Sequence, residues 1–288
     1  MIVIVDDSKY FKEIVECISK VFENNHIHYK TAEKISNNDN YLYFFINTNN
    51  IKNPPKNYII YNFEQLGTSI KKNEKEIGYN DKFFKKFRDA KKVFDYSKEN
   101  IKLLESKNIK AEFLPYSWFP DMIKDHKVPK ITYFSFIGLL NEKRVKFLKP
   151  MFSYCKDKNY NIFISNNCWG EDYYTEILRS WVSFNVHYYE KNTILELHRI
   201  INLIVNKVYV ISETSDDKYL DECYKNLVTW IDSNKENHQL ELFSDFLNLE
   251  EEERDEILEK RKQDMINMPS FKNNIENILV FYLKSLEK

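Results

Sequence analysis

Strand and helix alternate along the 288-residue chain, which predicts an α/β protein of two successive layered domains, each built on a parallel sheet, with a helical C-terminal tail. Three observations carry this. Short apolar runs rich in β-branched and aromatic residues recur, the pattern of strands buried on both faces. Amphipathic runs of helical period separate them. A polar stretch punctuated by Pro115, Pro120 and Pro129 interrupts the alternation, which then restarts. The expected domains are residues 1–125 and 126–270, with a final helix over 271–288.

Ile2–Val5 opens the chain as a buried strand. Ser8 is placed to cap the helix that follows, whose Phe11, Ile14, Val15, Ile18 and Val21 share one face. Tyr41–Ile46 and Tyr58–Tyr61 are further strands. Asp81–Lys91 reads as a helix, Lys92–Asp95 as a strand, Lys98–Ser106 as a helix and Ala111–Leu114 as a strand. In the second half, strands are expected at Ile131–Ile137, Asn161–Ser165, Val182–His187 and Val208–Ser212. Helices are expected at Asn141–Cys155, Asp172–Trp181 and Thr193–Val205, and then at about 217–224, 237–247, 249–266 and 271–286. Two such domains imply a cleft, with ligands at the carboxyl ends of the strands.

Composition narrows the function. Only 4 glycines occur, about 1.4% against a typical 7%. Gly67, Gly78, Gly138 and Gly170 are each isolated, so glycine-rich dinucleotide and P-loop motifs are excluded. Lys+Arg is 43 and Asp+Glu is 44, so the basic excess of a nucleic-acid binder is missing. Cys17, Cys155, Cys168 and Cys223 form no metal-type spacing and read as thiols of a reducing compartment. The N-terminal apolar run is too short for a signal peptide, and no stretch approaches a transmembrane length. A cytoplasmic protein is expected. Val5-Asp6-Asp7-Ser8 resembles the start of a phosphoacceptor receiver domain, but Tyr41–Ile46 ends in Asn47-Thr48-Asn49-Asn50 without the needed Asp.

Chemistry concentrates at strand-to-helix junctions. Asn185–Glu190 gathers His187, two tyrosines and Glu190, and leads to Thr193-Ile194-Leu195-Glu196 at an expected helix N-terminus. Free amides and the helix dipole there suit a phosphate, and Glu196 suits a ribose diol. Ser212-Glu213 end the following strand. Gly138, lacking a Cβ, lets a ligand approach, and Arg144 offers a planar fork for a diphosphate. Asn62–Leu66, with Glu64, and Asp95–Asn100 end strands of the first domain. Each has a plainer reading: a core histidine, a dipole-complementing Glu196, caps at Asp95 and Asn100. Trp118 and Trp169 can stack or simply pack. Asp216-Asp217 makes no convincing metal motif.

Asn62–Leu66, Asp95–Asn100, Gly138–Arg144 and above all His187–Glu213 resemble GT-B-fold glycosyltransferase-like proteins, similar to the CgeB-like and glycosyltransferase family 1-like groups of microbes and large DNA viruses. The resemblance spans roughly residues 58–215. It implies two Rossmann-like domains, with the sugar nucleotide held mainly by the second. Gly138 and Arg144 would then lie near the diphosphate, Glu196 on the ribose, and His187 and Glu190 near phosphate or sugar. Many retaining members carry E-x7-E. Here Tyr188 stands eight before Glu196, so the pattern is broken, and Glu190 is the candidate substitute.

The expected function is transfer of a sugar from a nucleotide-diphosphate donor, UDP- or GDP-linked, to a glycan, protein or small-molecule acceptor without a metal. Expected catalytic residues are His187, Glu190 and Glu64, with Asp7 as an alternative acceptor base. Expected donor-binding residues are Gly138, Arg144, Thr193, Ile194, Leu195, Glu196, Ser212 and Glu213. The rival readings are a catalytically silent binding or scaffold protein and a nucleotide-sugar epimerase on the same fold.

Overall fold

The structure, a computed structural model, describes residues 1–5, 11–36, 38–47, 53–72, 75–124 and 128–286. Its contacts divide into two units. The first comprises Met1–Asp121, Lys191–Ile194 and Pro269–Lys288; the second comprises Met122–Glu190 and Leu195–Met268.

The first unit contains β1 (Ile2–Val5), α1 (Lys12–Asn24), β2 (Tyr29–Ala32), β3 (Leu42–Ile46), β4 (Tyr58–Asn62), β5 (Ser69–Lys72), β6 (Lys75–Gly78), α2 (Asp81–Asp89), β7 (Lys92–Asp95), α3 (Lys98–Ser106) and β8 (Glu112–Phe113). Its sheet runs β2-β1-β3-β4-β7-β8, with every pairing parallel. β5 and β6 form a separate antiparallel hairpin. Central strands are apolar because helices cover both faces: Phe44, Ile46, Ile59, Ile60 and Tyr61 are fully buried. At the carboxyl edge, the buried Asp95 accepts from Asn62 Nδ2 at 2.7 Å, Asn100 Nδ2 at 3.1 Å and Ser97 N at 2.8 Å. The chain ends in α10 (Phe271–Asn274), a π-helical segment Ile275–Val280, and α11 (Phe281–Ser285). Phe271 N donates to Trp118 O at 2.8 Å, which fixes where this segment starts.

The second unit contains β9 (Thr132–Ile137), α4 (Glu142–Asp157), β10 (Ile162–Ser165), α5 (Glu171–Leu178), β11 (Ser180–Asn185), α6 (Leu197–Val205), β12 (Tyr209–Ser212), α7 (Lys218–Cys223), β13 (Thr229–Trp230), α8 (His238–Asn248) and α9 (Glu251–Ile266). Its sheet runs β10-β9-β11-β12-β13, again wholly parallel. Phe134, Phe184 and Phe243 meet in its core at ring distances of 5.2, 5.9 and 6.2 Å.

Several elements differ from the sequence reading. The strands β2 and β13 are absent from it, because both are sheet edges and carry no apolar run; β2 reads Tyr-Lys-Thr-Ala with its middle residues exposed. Residues 180–181 belong to β11 and not to the preceding helix, since Ser180 pairs with Thr132 of β9. The helix α6 begins at Leu197, four residues later than expected. Ser8, the expected first cap, lies outside the described residues.

Phe184 has no solvent exposure and contacts the Phe134, Phe147 and Phe243 rings. Phe184→Ala is therefore expected to lower stability by about 3–5 kcal/mol in urea unfolding, the usual cost of deleting a buried aromatic ring.

Candidate active site

Register levels three strand ends in the second unit. Ser183 pairs with Ser135 and Asn185 with Ser212, so Ile137, Asn185 and Ser212 finish side by side. Gly138, His187 and Glu213 stand just beyond these ends. This is the edge where ligands bind in parallel α/β sheets.

The cap of α4 sets the first side chain. Asn141 Oδ1 accepts from Arg144 N at 2.9 Å, and its Nδ2 donates to Tyr188 O at 2.8 Å. That phase turns Arg144 inward, 3% exposed. Arg144 Nε donates to Val186 O at 2.8 Å, Nη1 to Leu139 O at 2.7 Å and Nη2 to Glu196 Oε1 at 3.0 Å. Its charge lies between the Phe136 and Tyr188 rings, 5.4 and 5.3 Å from their centres.

Glu196 occupies the N-cap position of α6, yet its side chain caps nothing. Oε1 pairs with Arg144 and Oε2 with Arg199. Burial pushes this carboxyl up, but Arg199 and Arg144 outweigh burial and hold it below the ordinary glutamate value. Arg199 Nη1 also donates to Asn185 Oδ1 at 3.2 Å. A Cβ on residue 138 would lie 2.7 Å from Arg199 Nη2. The missing side chain of Gly138 thus makes room for a guanidinium.

A second cluster adjoins it. Glu213 Oε2 accepts from His187 N at 2.8 Å and from Lys143 Nζ at 2.8 Å. Ser212 Oγ accepts from Asn185 Nδ2 at 2.9 Å and donates to Glu213 O at 2.7 Å. The His187 ring lies with Nε2 3.2 Å from Thr214 O. Burial pulls its pKa below the ordinary value, against the opposing pull of Glu196 and Glu213.

The structure therefore assembles Gly138, Arg144, His187, Glu196, Ser212 and Glu213. Other expected residues lie elsewhere. Thr193 and Ile194 group with the first unit, and they precede α6 instead of opening it. Ile194 N donates to Gln65 Oε1 at 3.3 Å, and Asn192 Nδ2 to Gly67 O at 2.7 Å. These bonds hold the segment outside the helix, and the Ile194 amide is already engaged. Leu195 is fully buried. Glu190 is exposed, with no hydrogen bond or ion pair among the described residues. Glu64 belongs to the first unit, where its Oε2 accepts from Tyr79 OH at 3.4 Å. Asp6 and Asp7 lie outside the described residues.

Arg199 is the residue the sequence reading missed. Its signal is the i,i+3 spacing from Glu196, which puts both on one helix face. Among the described residues, no group of three or more His, Cys, Asp or Glu is placed to hold a metal ion, and no helix is long and apolar enough to cross a membrane.

No protein-family model matches the sequence, and no curated protein matches it. Solved structures do match the fold. WaaG, a glycosyltransferase involved in lipopolysaccharide biosynthesis, superposes over 96% of this chain and 98% of its own, with a TM-score of 0.59 at 9% identity. Sucrose-phosphate synthase from Thermosynechococcus elongatus does so over 99% of both chains, at 0.65 and 8%. Anabaena HepE, in complex with UDP and glucose, covers 98% of this chain and 99% of its own, at 0.60 and 8%. The chain thus has the GT-B fold, with two Rossmann-like sheets and a C-terminal helical segment.

Two outcomes follow from the ion pairs and the histidines. Arg144→Ala leaves Glu196 half-paired at a partly buried position, and it is expected to cost about 3–5 kcal/mol in urea unfolding. His187 is held below its ordinary pKa, and burial pushes His198 down to about 4. Between about pH 6.5 and those lower values the unfolded chain binds protons that the folded chain refuses. Stability is therefore expected to fall with acidification through that window, by up to about 1.4 kcal/mol per pH unit per histidine. Urea midpoints measured from pH 7 to 4 check this, and a flat profile there contradicts it.

Proposed function

We propose that the chain is a glycosyltransferase that moves a sugar from a nucleotide-diphosphate donor to an acceptor, with the donor held at the strand ends of the second unit. One observation carries the reading: a GT-B fold whose ligand-binding edge presents a built cationic site. Lys143, Arg144 and Arg199 outnumber Glu196 and Glu213 there by one charge, and burial keeps His187 neutral.

Within this reading the roles divide. Arg144 has Nε, Nη1 and Nη2 committed to the fold, so it is a positioning residue that fixes Glu196. Arg199 and Lys143, each partly exposed, meet the diphosphate and stabilise its developing charge as it departs, the service a metal performs elsewhere. The Glu196 carboxylate orients Arg199 and accepts from the ribose. Ser212 and Glu213 hold Asn185, Lys143 and the His187 backbone in place. Glu64 of the first unit is the candidate base for the acceptor hydroxyl. UDP is the first nucleotide to test, because HepE was solved with UDP and glucose. Another neighbour, an α-glucosyltransferase, was solved with UDP-glucose and DNA containing an abasic site. The net charge of -1 on this chain favours a glycan, protein or small-molecule acceptor.

A catalytically silent nucleotide-binding protein is the second reading. Tyr188 stands where E-x7-E would place a carboxylate, and Glu190 is exposed.

Calorimetric titration with UDP, GDP, dTDP and CMP tests the donor site. At least one is expected to bind, and Arg199→Ala is expected to weaken that binding about tenfold or more, as for loss of a charge-assisted hydrogen bond. No binding by any at millimolar concentration rejects both readings. Binding without sugar transfer or donor hydrolysis selects the silent one.

A further inference from the structure

His187 is held at two points and unpartnered at a third among the described residues. Its backbone N–H is fixed by Glu213 Oε2 at 2.8 Å, and its ring by Thr214 O, 3.2 Å from Nε2. A neutral imidazole has one donor nitrogen and one acceptor nitrogen. A carbonyl oxygen only accepts, so Nε2 carries the proton and Nδ1 presents a bare lone pair. That lone pair is buried and has no hydrogen-bond partner among the described residues, in a side chain whose residue is 2% exposed. Buried polar atoms are normally satisfied, and an exception at a ligand-binding edge calls for a ligand.

The chemistry of the missing partner follows. A phosphate oxygen is an acceptor and would face another acceptor. Metal ligation would need companion ligands, and no group of three is placed for it among the described residues. What fits is an O–H donor. A nucleotide sugar supplies one from its ribose or from the transferred sugar, while its diphosphate goes to Arg199 and Lys143. We propose that His187 is a specificity-determining residue of this site, accepting through Nδ1 a hydrogen bond from a hydroxyl of the bound nucleotide sugar. This rests on the nucleotide-sugar reading above and narrows the expectation that His187 lies near phosphate or sugar.

The full chain carrying isotope-labelled histidine gives a direct test. Long-range proton–nitrogen spectra are expected to show His187 as the Nε2–H tautomer in the free protein; the Nδ1–H tautomer overturns the proposal before any ligand is added. UDP, 2′,3′-dideoxy-UDP and UDP-glucose are then titrated, with GDP, its dideoxy form and GDP-mannose as the guanosine set, by calorimetry and by spectra in parallel. A shift of Nδ1 with the diphosphate that is lost in the dideoxy form assigns the ribose. A shift only with the sugar-bearing nucleotide assigns the transferred sugar. His187→Phe, checked for folding by thermal melting, is expected to weaken the ligand that moved Nδ1 about tenfold, the usual value of one hydrogen bond. It is expected to leave the counterpart lacking that hydroxyl unchanged. Calorimetric binding in which no nucleotide or nucleotide sugar of the set moves Nδ1 overturns the role of His187 and leaves the donor site standing. If none binds, the nucleotide-sugar reading falls, and this proposal with it.

Discussion

A single carboxylate held between two guanidinium groups organises the ligand edge of the second unit. Glu196 joins α4 to α6 through Arg144 and draws Arg199 over the end of β9. Charges this buried pay heavily for leaving water, and they persist only where each finds partners. Here the partners are backbone as much as side chain. Arg144 bonds Val186 O and Leu139 O in the segments after β11 and β9, so one residue ties together the exits of two strands. Remove the carboxylate, and both cations lose their anionic partner among the described residues, leaving Arg144 on the Val186 and Leu139 carbonyls and Arg199 on Asn185 Oδ1.

The scarcity of glycine takes a different meaning from this arrangement. Gly138 does not form a phosphate-cradling loop. Its missing Cβ leaves the space that Arg199 occupies, so a side-chain cation stands where glycine-rich folds bring backbone amides. The segment before α6 completes the contrast: its Ile194 amide is spent on Gln65, and the helix starts only at Leu197. Positive charge at this edge is therefore carried by long side chains, whose positions must be imposed by neighbours. Glu196 imposes that of Arg199, and Glu213 imposes that of Lys143.

Much of this was legible in the sequence, for identifiable reasons. Strands buried on both faces, such as Ile2–Val5 and Tyr58–Asn62, announce themselves as apolar runs. Edge strands do not: β2 is half exposed and β13 has two residues, so neither needs an apolar pattern. His187 and Glu213 were visible because polar residues closing an apolar strand mark the carboxyl edge of the sheet, and Glu196 because it stands at an expected helix N-terminus. Arg199 was hidden, since a charge within a helix usually lies on a solvated face. The Lys143–Glu213 pair spans 70 residues and leaves no trace in one sequence. The inward turn of Arg144, rather than Lys143, is set by the Asn141 cap three residues earlier, a phase that the expected helix start at Asn141 already contained.

The broken E-x7-E pattern fits the same constraint. At residue 188 a carboxylate would stand beside Arg144 and compete with Glu196 for it. Tyr188 instead lays its ring 5.3 Å from the Arg144 guanidinium carbon, which favours the cation without neutralising it. Its backbone carbonyl meanwhile accepts from the cap residue Asn141. The tyrosine thus leaves Arg144 to a single carboxylate partner, and it preserves the one-charge cationic excess of the cluster. In the proposed reaction, an aromatic at this position is part of how the site keeps its positive potential, and a hydroxyl of the nucleotide sugar is left to be read by a neutral histidine in the adjoining position.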